Sequence, residues 1–198
     1  MRMLRSLGAV VVVLALAAAC SSQKDPADAA IKSAQSAYDA VSAQAQKYVP
    51  DQARSIQSSL TAAQDAFAKG DYQAALTQAQ ALPAQITALG SAISAKKAEL
   101  TTAWNGMSAG LPKMVDALKS RVEILTKSKG LPKGVTKDAV DGAKSGLAAV
   151  TQEWSDASAA ATGGDLATAV SKANDVKTKV VAMMRSLNMQ VPPGAGGN

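Results

Sequence analysis

Apolar side chains recur along most of this chain at alternating intervals of three and four residues. On an α-helix that spacing places them on one face, whereas a half-buried strand shows an interval of two. Three such stripes in the first half cover residues 31–48, 56–67 and 75–93, and three in the second half cover residues 111–125, 140–161 and 166–187. The pattern predicts an all-α fold.

The two halves follow one plan, which predicts two related three-helix units at residues 27–107 and 108–190. Superposing Gly70 on Gly164 aligns seven pairs of apolar positions, namely Leu60/Trp154, Ala63/Ala157, Leu76/Val170, Ala79/Ala173, Leu82/Val176, Ile86/Val180 and Ile93/Leu187. An internal duplication explains this match. Alanine-rich heptads also resemble one another through composition alone, and this alternative stays open.

Glycine and aspartate mark a sharp predicted turn in each half. Gly70 and Gly164 can adopt the left-handed backbone that ends a helix. Asp71 and Asp165 can accept hydrogen bonds from the free N–H groups that start the next helix. Each pair therefore predicts an antiparallel helical hairpin. These helix N-termini could also bind an anion, but the aspartates already place negative charge there, which favours the structural interpretation.

One stripe contains residues that usually disturb a helix. Pro83 and Gly90 lie within residues 75–93, and a proline inside a helix costs about 3 kcal/mol, so we expect a bend or a break at residues 81–83. Downstream, Leu100 and Trp104 keep the helical spacing, which predicts that this helix continues to about residue 105 and joins the halves. We therefore expect an elongated helical bundle of two related three-helix units.

Composition narrows the chemistry that such a bundle can perform. Alanine supplies 43 of the 198 residues and aromatic residues only 3%. The chain has no histidine, one cysteine and three glutamates, which removes the usual groups for general-base catalysis, zinc or haem binding and Cys-His nucleophiles. Asp138 and Asp141 lie among lysines and fit a solvated helix face better than a catalytic pair. We expect no enzymatic activity, no cofactor and no metal.

The first twenty residues carry the features of an export signal. Arg2 and Arg5 precede an apolar run at residues 8–16, which is too short to span a bilayer, and three alanines precede Cys20. This arrangement resembles the signal of bacterial lipoproteins, in which signal peptidase II cuts before a cysteine that carries acyl chains. The resemblance implies a signal peptide at residues 1–19 and lipidation at Cys20. The alternative, an ordinary secretory signal, would leave a lone thiol in an oxidising compartment.

The same signal implies a location for the protein. Several acyl chains on Cys20 would hold the chain stably on a membrane. Ser21 in the next position resembles the signal for export to the outer membrane of Gram-negative bacteria, facing the periplasm; in a single-membrane bacterium it implies the outer face of the plasma membrane. Residues 20–26 are polar and predict a lipidated tether, and residues 191–198 predict a disordered tail.

A second resemblance covers residues 26–100. Tyr48-Val49-Pro50-Asp51 precedes alanine-rich heptads and the turn Gly70-Asp71-Tyr72. This pattern resembles the alanine-rich helical envelope lipoproteins that are grouped under a domain of unknown function. The second half matches more weakly, with Leu166 in place of the tyrosine. The resemblance implies a place in the cell envelope, and the family has no established catalytic residues to transfer.

Charge is uneven between the halves. The net charge is +6, and once Arg2 and Arg5 are removed the basic excess lies in the second half. A candidate patch for an anionic partner comprises Lys119, Arg121, Lys127, Lys129, Lys133 and Lys137. It could contact an anionic glycan, lipid headgroups or an acidic protein, whereas solvated lysines that aid solubility are the alternative. The absence of interleaved aromatic residues argues against nucleic acid.

Two further sets of residues could line a ligand pocket. Trp104 and Trp154 lie on the apolar stripes, which favours core packing. Met183, Met184 and Met189 fit either an adaptable binding surface or packing at the end of a bundle. The sequence predicts a lipid-anchored, non-enzymatic helical interaction or spacer module of the bacterial envelope, with an envelope protein partner or self-association. The alternative is a binding protein that holds a small apolar ligand or lipid between its helices.

Overall fold

The computed structural model describes residues 23–193 and is all-helical over that range. Its helices are α1 (Lys24–Tyr48), α2 (Pro50–Ala68), α3 (Tyr72–Lys127), α4 (Lys137–Thr162) and α5 (Leu166–Ser186). They contain 86% of the described residues, which include no strand. The predicted all-α fold is confirmed. The predicted signal peptide, the lipidation site Cys20 and residues 194–198 of the predicted tail lie outside the described range.

The first helix begins earlier than the sequence predicts. Helix α1 starts at Lys24, so residues 24–26, which were expected to belong to the tether, are helical. Asp25 lies in the first turn, where a negative charge interacts favourably with the helix dipole. Pro26 is tolerated there because the first N–H groups of a helix have no partner within it.

The backbone divides into two compact units, one up to Lys96 and one from Lys97. In the first unit, buried side chains from α1, α2 and the first part of α3 form one cluster, namely Ala34, Tyr38, Ala45, Ala53, Ile56, Leu60, Leu82, Ile86, Leu89 and Ile93. The Tyr38 hydroxyl donates a hydrogen bond to the Ala53 carbonyl at 3.1 Å. This bond satisfies the polar end of a buried ring, which would otherwise destabilise the core.

A second cluster in this unit lies beside the turn between α2 and α3. It consists mainly of alanines, namely Ala27, Ala63, Ala75 and Ala79, together with Ile31. The Phe67 and Tyr72 rings pack edge to face across the turn, with centroids 5.1 Å apart. Small side chains let the helix axes approach closely, so alanines are sufficient to fill the core at this end of the unit.

Helix α3 corrects two expectations about the middle of the chain. It runs without a break through residues 81–83, and the stripes at residues 75–93 and 111–125 belong to one helix of 56 residues. Leu82 and Leu89, which adjoin Pro83 and Gly90, are fully buried. Burial of each leucine contributes about 1.5–3 kcal/mol, which offsets the cost of the exposed proline. The division after Lys96 falls before the predicted boundary at residue 107.

The second unit has a larger core that joins the second part of α3 to α4 and α5. Its most completely buried side chains are Leu118, Val150, Val176, Val180 and Leu187. Val135, in the connection between α3 and α4, is buried in the same cluster. The Thr136 hydroxyl caps α4 by accepting a hydrogen bond from the Ala139 N–H at 3.2 Å.

The two Gly-Asp turns have the same geometry. Gly70 has a φ of 81° and Gly164 a φ of 77°. The Asp71 N–H donates to the Ala66 carbonyl at 3.0 Å, and the Asp165 N–H donates to the Ala160 carbonyl at 2.8 Å. These are the longer bonds of a Schellman motif. Each aspartate then caps the next helix, because its carboxylate accepts from a backbone N–H three residues later at 3.1 Å.

Positions that the predicted duplication aligns are buried in both units. Five of the seven pairs are buried on both sides: Ala63/Ala157, Ala79/Ala173, Leu82/Val176, Ile86/Val180 and Ile93/Leu187. The other two pairs each combine a buried with a half-buried side chain. Equivalent positions therefore form the core of each unit, while a common origin of the units stays a prediction.

The left-handed turn predicts opposite effects for two glycine substitutions in the first unit. Gly70→Ala should lower the free energy of unfolding by about 1 kcal/mol, since a Cβ is unfavourable at positive φ. Gly90→Ala should raise it by about 0.5–1 kcal/mol, because a Cβ there meets nothing within 4 Å and the residue is inside α3. Urea unfolding followed by circular dichroism measures both. If both substitutions changed the free energy of unfolding in the same direction, the left-handed backbone assigned to Gly70 would be contradicted.

Candidate functional site

Helix α5 ends in a third left-handed turn, and here asparagine takes the place of glycine. Asn188 has a φ of 51°, and the Met189 N–H donates to the Met184 carbonyl at 2.9 Å. The Asn188 side-chain amide donates to the Lys133 carbonyl at 3.1 Å. A Cβ at Gly134 would lie 2.9 Å from that amide nitrogen, so the glycine permits the contact. The turn attaches the end of α5 to the connection between α3 and α4.

The chain after this turn begins the predicted disordered tail, residues 191–198, but its first residue packs against the protein. Val191 is half-buried and packs with Met189 against the core of the second unit. Pro192 and Pro193 are exposed and line a concave surface. The prediction of disorder assumed that residues 191–198 had nothing to bury, whereas Val191 supplies an apolar side chain that extends the core.

These residues complete an apolar groove of about 900 Å³ in the second unit, here called the methionine groove. It lies between the middle of α3, the face of α5 that carries Lys177 and Met184, and residues 188–193. Its lining residues are Thr102, Ala103, Gly106, Met107, Gly110, Leu111, Lys113, Met114, Ala117, Arg121, Lys177, Met184, Asn188, Met189, Gln190, Pro192 and Pro193. This volume is within the range of about 300–1,000 Å³ that is typical of small-molecule sites.

Small residues on α3 create the space, and flexible residues surround it. A Cβ at Gly106 or Gly110 would meet nothing within 4 Å, so the groove extends to the helix backbone at these positions. The groove is lined by four methionines, namely Met107, Met114, Met184 and Met189. Methionine has an unbranched, polarizable side chain that adapts to irregular apolar ligands. The half-buried Met107 and Met189 can therefore change shape around a guest, whereas Met114 and Met184 belong to the buried core.

Every charged side chain that lines the groove is a cation. These are Lys113, Arg121 and Lys177, and none of the lining residues is aspartate or glutamate. Arg121 is half-buried, and its Nε has no hydrogen-bond partner and no contact with solvent. Its Nη2 donates to the Leu187 carbonyl over a long 3.4 Å. The groove thus combines an apolar interior with positive charge and an unused guanidinium donor.

The two tryptophans pack against the core of this unit and do not line the groove. The Trp104 and Trp154 rings stack, with centroids 5.3 Å apart and planes inclined by 14°. Both are half-buried. Each ring contacts the other, and the open space of the groove lies beside Gly106 and Gly110 instead.

Most of the predicted basic patch lies away from the groove lining. Lys119 and Lys127 are exposed on α3, and Lys129 and Lys133 are exposed in the connection to α4. Of the six predicted residues only Arg121 lines the groove.

The sixth patch residue, Lys137, is the first residue of α4 and has its own local partner. Its ammonium group donates to the Asp141 carboxylate at 2.6 Å. This hydrogen bond, together with the charge of Asp141, raises the pKa of Lys137 above its ordinary value. Asp141 therefore acts as a surface ion-pair partner in this structure.

Sequence reasoning missed Gly106, Gly110 and the groove that they open. Two glycines one turn apart inside a helical stretch, followed by Met114 one turn later, were the available signal. Met184 and Met189 were recognised as a candidate adaptable surface, and both line the groove. Apolar periodicity cannot show which face of a helix a glycine lies on, because glycine has no side chain.

Residues 23–193 contain no group of three or more acidic, cysteine or histidine side chains that could hold a metal ion. Over the same range, every helix falls short of the combined length and apolarity that crossing a membrane requires. No protein-family model, curated protein or solved structure matches the chain. The predicted resemblance to alanine-rich envelope lipoproteins stays a prediction.

The Asn188 turn predicts a graded response to substitution. Asn188→Gly keeps the left-handed backbone and removes the hydrogen bond to Lys133, so the free energy of unfolding should fall by about 0.5–1 kcal/mol. Asn188→Ala should lower it by about 1 kcal/mol more, because alanine disfavours positive φ. Urea unfolding measures the loss, and faster hydrogen exchange of the Met189 amide locates it.

A matched control for this series is Asn174→Ala, an exposed asparagine inside α5. Alanine has the higher helix propensity, so this variant should be as stable as the parent or slightly more stable. Equal stability of Asn188→Ala and Asn174→Ala would contradict the role assigned to the turn.

Proposed function

We propose that this chain is a lipid-anchored, non-enzymatic binding module of the bacterial envelope, whose second unit holds an apolar ligand in the methionine groove. The observation that carries the proposal is the open space beside Gly106 and Gly110. The two sequence-based functions differ on this point, since a spacer has no use for a cavity of about 900 Å³. The groove favours the binding protein.

The physical case for a ligand rests on the two glycines that open the groove. Glycine inside a helix costs about 1 kcal/mol relative to alanine, and Gly106 and Gly110 lie near the middle of the long helix α3. A ligand in the groove would contact its apolar lining and would stabilise the folded state by mass action.

The anchor is supported by the sequence of residues 1–22. Cys20 is the only cysteine, and it follows an apolar run and three alanines. We propose attachment to the membrane through acyl chains on Cys20, in the outer membrane facing the periplasm if the cell is Gram-negative and otherwise on the outer face of the plasma membrane. An anchor of this kind would place the chain on a membrane, which is a source of amphiphilic molecules.

A second function has one specific observation in its favour. Ile124 is 62% exposed and Leu131 38% exposed. In sequence, Ile124 lies between Lys119 and Lys127, and Leu131 lies between Lys129 and Lys133. A protein partner would cover both apolar side chains. An envelope protein with an acidic rim is the partner that this surface would suit, and its binding would not depend on the groove.

Filling the groove tests the binding function. Gly110→Leu should place its side chain in open space and weaken binding of the neutral fluorescent probe N-phenyl-1-naphthylamine at least about tenfold, because the leucine occupies ligand volume. Helix propensity rises with the change, so the fold should persist. Probe titration followed by fluorescence measures the dissociation constant.

The matched control is Gly90→Leu, which lies in the same helix, also faces open space and is not part of the groove lining. It should bind the probe as the parent does. Binding that is equally strong in Gly110→Leu and Gly90→Leu would contradict the proposed site, and no binding to the parent would contradict the function.

Substitution of the single cysteine tests the anchor. Cys20→Ser should abolish metabolic incorporation of radiolabelled palmitate and should leave the signal peptide uncleaved, because a hydroxyl does not replace the thiol in lipoprotein processing. Mass spectrometry of the chain measures the cleavage. Ser22→Ala, two residues away, is the control and should keep both label and cleavage. Palmitate labelling of Cys20→Ser would contradict lipidation at this residue.

A further inference from the structure

We infer that the methionine groove selects an amphiphile with one acyl chain and an anionic headgroup, and that Arg121 binds the headgroup. The inference rests on the proposed binding function and adds the chemical class of the ligand. It follows from three observations on the second unit: the charge of the lining, the state of the Arg121 guanidinium and the shape of the apolar interior.

The charge of the lining has one sign. Lys113, Arg121 and Lys177 line the groove, and no acidic side chain accompanies them there. A neutral apolar ligand gains nothing from this arrangement, and a cationic amphiphile would be repelled. An anionic group at the edge of the groove would be attracted by Lys113 and Arg121, and the low polarity of the surroundings would strengthen that attraction.

Arg121 has hydrogen-bonding capacity left over. Its Nε is buried without a partner, and its Nη2 reaches the Leu187 carbonyl only at 3.4 Å. A buried donor without an acceptor destabilises the protein, and hydrogen bonds to charged groups are among the strongest in proteins. Nε and Nη2 form the planar pair of donors that a carboxylate or a phosphate accepts in bidentate fashion. An anionic headgroup would bind to both once the half-buried Arg121 side chain turned toward the groove and brought Nε into reach.

The interior of the groove suits a flexible acyl chain. Its apolar lining includes four methionines, two prolines, leucine and alanine side chains, and backbone at Gly106 and Gly110. No aromatic residue is part of this lining, so aliphatic and thioether groups would contact the ligand. Methionine side chains adapt to a flexible chain of variable length.

The test compares ligands that differ only in the headgroup. Lysophosphatidylglycerol supplies a chain and an anionic group, monoacylglycerol of the same acyl length supplies the chain alone, and inorganic phosphate supplies the anion alone. Displacement of N-phenyl-1-naphthylamine from the full chain gives dissociation constants for the first two, and isothermal calorimetry gives that for phosphate. We expect lysophosphatidylglycerol to bind about tenfold more tightly than monoacylglycerol, the size of one charged hydrogen bond.

Substitution of Arg121 identifies the group responsible. Arg121→Gln should reduce the headgroup preference to less than about twofold while leaving monoacylglycerol binding unchanged, and Arg121→Lys should keep part of the preference. Arg185→Gln removes an exposed arginine of α5 that does not line the groove, and it should bind both lipids as the parent does. If Arg121→Gln is poorly folded by circular dichroism, Lys113→Gln, at an exposed position, should still lower the preference.

The outcomes separate the two proposals. Equal affinity for both lipids, with binding still lost in Gly110→Leu, would overturn the headgroup assignment and leave the binding function in place. A preference that survives Arg121→Gln would also overturn that assignment. Binding of phosphate as tight as that of lysophosphatidylglycerol would show an ion site without a role for the chain. Failure of both lipids to bind would overturn the inference and the proposed function together.

Discussion

Left-handed backbone at three chain reversals is the constraint on which this structure depends. At Gly70 and Gly164 only three residues separate one helix from the next, and Asn188 follows the end of α5. At each reversal the N–H three positions past the last helical residue bonds to a carbonyl in the last turn. The first two reversals form helical hairpins. The third attaches the chain to the Lys133 carbonyl and leads it into the wall of the groove.

The groove follows from the way this protein closes its cores. The first unit buries many alanines and the second unit many valines and alanines, and among the described residues no polar or charged residue is buried. Small side chains bring helices close together, so the size of a single side chain decides whether the space beside it is occupied. At Gly106 and Gly110 there is no side chain, and the space beside the helix stays open.

Apolar periodicity was sufficient to predict most of the helical structure. The stripes in residues 31–67 and 140–187 became α1, α2, α4 and α5, because one buried face decides each of these helices. The same reasoning divided α3, since it weighed Pro83 and Gly90 by intrinsic propensity while burial of Leu82 and Leu89 outweighed them. It also missed the groove. A cavity depends on residues that are distant in sequence, and Asn188 brings together parts of the chain that no local pattern connects.

The most direct measurement is nuclear magnetic resonance of the chain with isotope-labelled methionine methyl groups, titrated with lysophosphatidylglycerol. The account predicts Overhauser contacts from the acyl chain to the methyl groups of Met107, Met114, Met184 and Met189, which line the groove. Met183, whose sulfur would lie 2.8 Å from a Cβ at Gly146 on α4, should show none. Contacts to Met183 alone, or no contacts to the four lining methionines, would contradict the account.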